Sequence, residues 1–192
     1  MQNDLTCWLE EAGVKLLKHI GIKEKQKILD FGCGQGNYAI PAARVVGKDG
    51  VVYALDKDKR SLDKLMLKAK EIGLSNIIRL NTTKTSEIKL DNECLDAVLL
   101  YDVFHYYYYP QAEDRRQLLL EIYRVLKKNA LLSFYPTHLE SYMKPRLEEV
   151  EREIREANFD LESEYPNLTM IHDDNLEKGH ILNYRKRIQH LK

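Results

Sequence analysis

Hydrophobic and polar positions change their period along this chain, and the changes mark its elements. Leu5, Leu9, Leu16, Leu17 and Ile20 recur at helical spacing and predict an amphipathic helix closed by Gly21, so residues 1–24 form a helical segment ahead of the first strand. QKILDF, centred on Ile28 and Leu29, reads as that strand, and a glycine-rich turn follows it. A second helix runs from Tyr38 to Val46, with Pro41 in its first turn, where a missing N–H is tolerated, and Gly47 at its C-terminal cap. VVYALD is the second strand. Asp58 caps a helix that reaches Ile72 and ends at Gly73, and a short strand covers Ile77 to Leu80. LDAVLLY is apolar without alternation, as in a strand buried on both faces. Leu118, Leu119, Ile122, Val125 and Leu126 form a helical stripe, and ALLSFY returns to the sheet.

Those alternations predict an α/β sheet covered by helices. The end of the chain differs. A helix carrying Leu147, Val150 and Ile154 on one face leads to the period-two strand FDLESEY, a turn region from Pro166 to Lys178, and a last strand GHILNYRK. A parallel crossover needs a dozen or more residues, usually a helix, so two strands without one are expected to pair antiparallel at one sheet edge.

Composition narrows the functional classes. The 192 residues fit one domain, 1–192, and 30 Lys and Arg balance 30 Asp and Glu, so the basic field of a dedicated nucleic-acid binder is missing. Cys7, Cys33 and Cys94 are odd in number, far apart and without a CxxC pair, which argues against a disulfide framework or a zinc knuckle. The N-terminus lacks the pattern of a signal peptide and no 18 apolar residues are consecutive, so a soluble, cytoplasmic protein with no membrane partner is expected.

Chemistry concentrates in LDFGCGQGNY, residues 29–38, between a strand and a helix. Glycines at such a bend let backbone approach a ligand at the carboxyl end of the sheet. Gly32, Gly34 and Gly36 form GxGxG, whereas a dinucleotide fingerprint wants its third small residue where Asn37 stands. Asp56 ends the second strand, where a carboxylate can accept two ribose hydroxyls. A nucleoside-bearing cofactor follows.

From Lys25 to Arg187 the chain resembles the class I S-adenosylmethionine-dependent methyltransferases, specifically their broad small-molecule group. KILDFGCGQGNYAIPAARVVG is similar to the family's first motif, GVVYALDKD to its second, and LDAVLLYDVFHYY with LLLEIYRVLKKNALLSF to its fourth strand, helix and fifth strand. The resemblance implies a Rossmann-like, doubly wound seven-stranded sheet, mostly parallel with an antiparallel C-terminal edge strand, and S-adenosylmethionine as cofactor. It also implies that Gly32, Cys33 and Gly34 lie against the methionyl part with Asp30 orienting its amino group, and that Asp56 takes the ribose diol. Lys57 would flank the adenine, Thr83 would replace an acid that accepts from the adenine amino group, and Asp102 would sit near the methionyl part.

The same likeness implies methyl transfer by in-line displacement to a small molecule. The alternatives are an RNA or protein acceptor, or a module that binds the cofactor without catalysis. A sulfonium carries its own leaving group, so alignment and desolvation matter more than a general base. His105, in DVFHYYYYP after the fourth strand, is the candidate base for an acceptor that arrives protonated. Tyr106 and Tyr107 are expected to line the acceptor pocket, with His138 of YPTH as a lesser candidate. No metal set is expected: FYPTH lacks the acidic pair of metal-dependent catechol methyltransferases, and HDDNLEKGH, residues 172–180, reads as polar turn.

Overall fold

A computed structural model describes residues 2–80, 87–139 and 145–187. Helix α1 (Gln2–Cys7) runs through a π-helical turn (Trp8–Ala12) into α2 (Gly13–His19). There follow β1 (Lys27–Phe31), α3 (Ala39–Val46), β2 (Val51–Leu55), α4 (Lys59–Glu71), β3 (Ile77–Leu80), β4 (Leu95–Tyr101), α5 (Ala112–Val125) and β5 (Leu126–Tyr135). The chain closes with α6 (Leu147–Glu156), β6 (Phe159–His172) and β7 (Asn175–Lys186).

The seven strands form one sheet in the order β3-β2-β1-β4-β5-β7-β6. The first five are parallel, and β7 runs antiparallel to both β5 and β6. The antiparallel pair therefore stands at the expected edge, with β7 inserted between β5 and β6. Alternate residues of each strand point to opposite faces, and both faces are covered. Ile28, Ala97 and Leu99 pack with Trp8, Leu17, Ile40 and Leu65 of the N-terminal helices, α3 and α4. Leu29, Val98 and Leu100 pack with Leu118, Ile122 and Ile154 of α5 and α6. Two-sided burial explains why LDAVLLY shows no alternation.

Strand order reverses between β1, whose successor lies on one side, and β4 on the other. This topological switch point opens a crevice at the carboxyl ends of the strands. The helix caps are those expected: Asp58 accepts from the backbone N–H groups of Arg60 and Ser61, and Gly47 ends α3.

One expectation is corrected. The segment from Pro166 to Lys178 is strand on both sides of a two-residue turn at Asp173 and Asp174, both with positive φ, which suits the twist of a hairpin. Pro166 and Asn167 form a bulge between Tyr165 and Leu168. Pro is tolerated there because β6 is the edge strand and owes no N–H to a further neighbour. The hairpin thus extends past the carboxyl end of the sheet, carrying His172 with it.

Candidate functional site

Gly32 follows β1 with φ +78°, and a Cβ there would stand 2.5 Å from a methyl carbon of Val103. A side chain is therefore excluded by conformation and by contact. The N–H groups of Gly32 and Cys33 donate to the Leu55 carbonyl at 2.8 and 3.1 Å, fastening the turn to the end of β2. Asp56 completes it: Oδ2 accepts from the Gly34 N–H and Oδ1 from the Asp58 N–H, both at 2.8 Å. These bonds fix the carboxylate's rotamer and leave lone pairs on both oxygens for a ligand.

A cavity of about 310 Å³ opens over this turn, lined by Gly32, Gly34, Asp56, Lys57, Asp102 and Tyr108 among others. A Cβ built on Gly34 would meet nothing within 4 Å, so that backbone faces open space. Asp30 lies behind the turn, 2% exposed, and its Oδ2 has no hydrogen-bond partner among the described residues. Burial first, and the Asp56 charge second, push its pKa up to about 7, while a hydrogen bond from the Ala39 backbone pulls the other way. Cys33 is buried and its thiol pKa is raised well above the ordinary value, chiefly by burial, so it is a packing residue and not a thiolate.

Five of the sequence-expected cofactor residues, Gly32, Gly34, Asp56, Lys57 and Asp102, therefore line one cavity, with Asp30 and Cys33 packed behind them. Thr83 lies outside the described residues. In the tyrosine run, Tyr108 and Tyr109 line the cavity where Tyr106 and Tyr107 were expected to line a pocket. The Lys57 ammonium sits 4.0 Å above the Tyr108 ring, bridging the cavity's two sides. Tyr109 is buried against Phe104. Tyr107 is exposed and lies edge-on to His138, and Tyr106 stacks on Tyr107. Of the four, Tyr109 is buried and Tyr106 half-buried, while Tyr107 and Tyr108 are exposed, Tyr108 with one face on the cavity.

His105 is buried, and both of its ring nitrogens are occupied. Nδ1 accepts from the Tyr107 N–H at 3.3 Å, which assigns the proton to Nε2, 3.2 Å from the Asp102 carbonyl oxygen. Burial, the largest influence, lowers its pKa. This arrangement leaves no free lone pair for proton abstraction and makes His105 a support for Asp102.

Asp102 itself adopts φ +54°, and His138 φ +51°, the left-handed region that non-glycine residues seldom enter. These backbones aim both side chains at one point, joined there by His172 from the end of β6. His172 Nε2 is 3.3 Å from Asp102 Oδ2 and 3.3 Å from His138 Nε2. His138 Nε2 is 3.8 Å from Asp102 Oδ1. Thr137 donates its hydroxyl to Asp102 Oδ1, and Glu177 lies 3.4 Å from His172 Nδ1 while accepting from the Tyr135 hydroxyl. His138, His172 and Glu177 also line a second cleft of about 690 Å³, so Asp102, which lines the first cavity, touches two residues of the second. Sequence reasoning named Asp102 and His138 and passed over His172, because a turn assignment separated it from the strand that delivers it.

Two distant segments brace the glycine turn. Trp8 donates from Nε1 to the Asn37 carbonyl at 2.7 Å, and the Asn37 amide donates to Asp174 at the hairpin tip at 3.0 Å. The Tyr38 hydroxyl donates to the Ile171 carbonyl at 2.9 Å.

Residues 29–134 match the family model described as a methyltransferase domain. Among curated proteins, the chain is 30% identical over 92 residues to a probable cobalt-precorrin-6B C(15)-methyltransferase (decarboxylating) of Saccharolobus solfataricus, covering 47% of this chain and 46% of that one. It is also 30% identical over 123 residues to a demethylmenaquinone methyltransferase of Lactobacillus johnsonii, covering 64% and 48% respectively. The chain spans about half the length of these relatives. A crystal structure of a SAM-dependent methyltransferase from Aquifex aeolicus superposes with a TM-score of 0.74 at 23% identity, covering 94% of this chain and 93% of the other, a likeness of fold.

Proposed function

The chain belongs to the methyltransferase domain family, of the class I S-adenosylmethionine-dependent kind, and from that premise we propose that it methylates a small molecule seated in the second cleft. The observation that carries this reading is the contact of Asp102, in the first cavity's lining, with His138 and His172 in the second's. One is floored by a glycine turn and a ribose-ready carboxylate, and the other is walled by imidazoles. The residues suit the cofactor: Gly34 leaves space, Asp56 keeps lone pairs, and one Asp30 oxygen, behind the turn, has no partner among the described residues.

When bound, the sulfonium supplies a methyl group already attached to a good leaving group. What the chain contributes is position. Asp56 would accept from the ribose hydroxyls, Lys57 and Tyr108 would flank the base, and the Gly32–Gly34 backbone would lie along the methionyl side. Asp30 would attract the ammonium from behind the turn. Asp102, held by Thr137 and His105, would help position the methionyl part, so that alignment and desolvation would supply the rate.

A small acceptor is supported by the substrates in the relatives' names, a cobalt-precorrin and demethylmenaquinone. It is supported too by the fate of the densest basic cluster. Arg185 pairs with Glu162, buried Lys186 with Glu93 and the Leu126 carbonyl, and Arg187 with Asp160. Arg185 also lies opposite Leu131, away from the carboxyl end of the sheet, so these charges make no basic rim around the site.

Titration with S-adenosylmethionine or its demethylated product tests the cofactor half. Asp56→Ala is expected to weaken binding roughly ten- to hundred-fold, the worth of hydrogen bonds to a charged group. Unchanged affinity removes the ribose role. Incubation with methyl-labelled cofactor and a fractionated cell extract tests the acceptor half. Label in the low-molecular-weight fraction is expected, whereas label confined to RNA or protein overturns the small-molecule reading and cofactor binding without any transfer points to a non-catalytic module.

A further inference from the structure

We propose that Asp102, His138 and His172 form a binding site for a divalent transition-metal ion of the zinc class, at the seam between the cofactor cavity and the second cleft. The three donor atoms all lie within 4.8 Å of one another. Metal–ligand bonds of about 2.0–2.1 Å at tetrahedral angles place donor atoms roughly 3.3–3.5 Å apart. The observed separations are 3.3 Å for His172 Nε2 to Asp102 Oδ2, 3.3 Å for His172 Nε2 to His138 Nε2, and 3.8 Å for His138 Nε2 to Asp102 Oδ1. The two distances to Asp102 are to different carboxylate oxygens, so the cluster stands near ligand spacing and a small side-chain rotation of Asp102 or His138 would complete it.

The surroundings match what metal ligands require. A ligating histidine holds its tautomer by donating its other nitrogen to a carboxylate or carbonyl, and His172 Nδ1 faces Glu177 at 3.4 Å. Glu177 is itself held by the Tyr135 hydroxyl, and Asp102 by Thr137. Two ligands sit in left-handed backbone conformations that cost of order 1–3 kcal/mol each and persist where the surrounding fold over-determines them. Two imidazoles and one carboxylate favour zinc, cobalt, nickel or ferrous iron over magnesium or calcium, which want oxygen. This reverses the sequence-based expectation that no metal is held, and it does so with a residue set different from that of the catechol enzymes.

Three protein ligands leave a coordination position for an exchangeable group. A hydroxyl, thiol or carboxyl of the acceptor entering from the second cleft would coordinate there as its anion, its proton passing to solvent because the cation lowers its pKa. Its lone pair then forms the bond to the methyl carbon, while the carbon–sulfur electron pair stays on sulfur. The acceptor class follows: small molecules presenting an oxygen or sulfur donor. This last step rests on the methyltransferase reading, and the metal site itself does not.

The test uses the full chain stripped with chelator and titrated with Co²⁺, reading the visible d–d bands, then displaced by Zn²⁺. One equivalent of Co²⁺ giving intense bands that Zn²⁺ abolishes is expected. Loss of the bands is expected in His138→Ala and His172→Ala, and about ten- to hundred-fold weaker binding in Glu177→Gln. Circular dichroism and cofactor titration on the same samples report folding. A wild-type protein without stoichiometric Co²⁺ bands overturns the proposal even if no variant folds. So does a folded His138→Ala or His172→Ala protein that binds as the wild type does. Metal binding without cofactor binding instead removes the methyltransferase reading and leaves the site standing.

Discussion

Asp30 is a carboxyl whose position in the chain marked it as a cofactor residue and whose environment makes it a titrating one. Its pKa of about 7 in the fold exceeds the ordinary carboxyl value of 3.8, so between those values the folded state holds a proton that the unfolded state has released. Its contribution to stability is complete below about pH 4, falls as pH rises towards 7, and levels off above. Asp30→Asn should flatten that decline, a difference on the order of 4 kcal/mol at most, measured by urea unfolding from pH 4 to 8. Binding shows the opposite slope, because a bound ammonium favours the ionised carboxyl. Cofactor affinity is expected to fall by up to about tenfold per unit below pH 7 in the wild type, and to be flat in Asp30→Asn, read by calorimetry across the same range. The aspartate itself was legible in the DFG stretch. Its proton affinity was not, because it depends on burial and on Asp56 across the turn.

At the scale of elements, the glycine turn and the crossover after β4 act as one unit. Gly32→Ala adds a Cβ at φ +78° against Val103, the residue after Asp102. A loss of about 1–3 kcal/mol is expected from the backbone alone, with weaker cofactor binding as the crossover is displaced. Chemical denaturation and titration of one sample separate the two. The crossover's far end is anchored by Arg115, which bonds the Tyr109 and Pro110 carbonyls and pairs with Glu153 on α6 through two 2.7 Å bonds. Arg115 is buried, so Glu153→Ala leaves a buried cation unpaired, and about 3–5 kcal/mol of stability should be lost. The helices and parallel strands were readable because their periods are local. The reach of β6 was not, since Pro166 and Asn167 look like a turn unless the strand is known to lie at the sheet's edge with a bulge there.

Over the whole molecule, the ends of the chain converge on Asn37 and Tyr38. The N-terminal helix supplies Trp8, the C-terminal hairpin supplies Asp174 and Ile171, and the glycine turn sits between them. Trp8 is 1% exposed and stacks edge-on to Tyr38 at 5.6 Å. Trp8→Ala should cost about 3–5 kcal/mol in stability and also weaken cofactor binding, although Trp8 does not line the cavity. Thermal melts with and without cofactor would show both. The described residues include no helix long and apolar enough to cross a membrane.

By itself the sequence determined the α/β alternation, the glycine turn and the Asp56 carboxylate, because each is written in spacings within a single strand–turn–helix stretch. Asn37 appeared there merely as a departure from the dinucleotide fingerprint, and the fold shows it as a tie between three segments. The tertiary structure alone decided which histidines meet Asp102. His138 follows β5 and His172 ends β6, and they face each other because β7 is inserted antiparallel between those strands and the hairpin overreaches the sheet. No local period encodes that meeting. It follows from strand order and register, set by which apolar faces bury against which, and those same choices buried Tyr109 and left Tyr108 at the cavity's mouth.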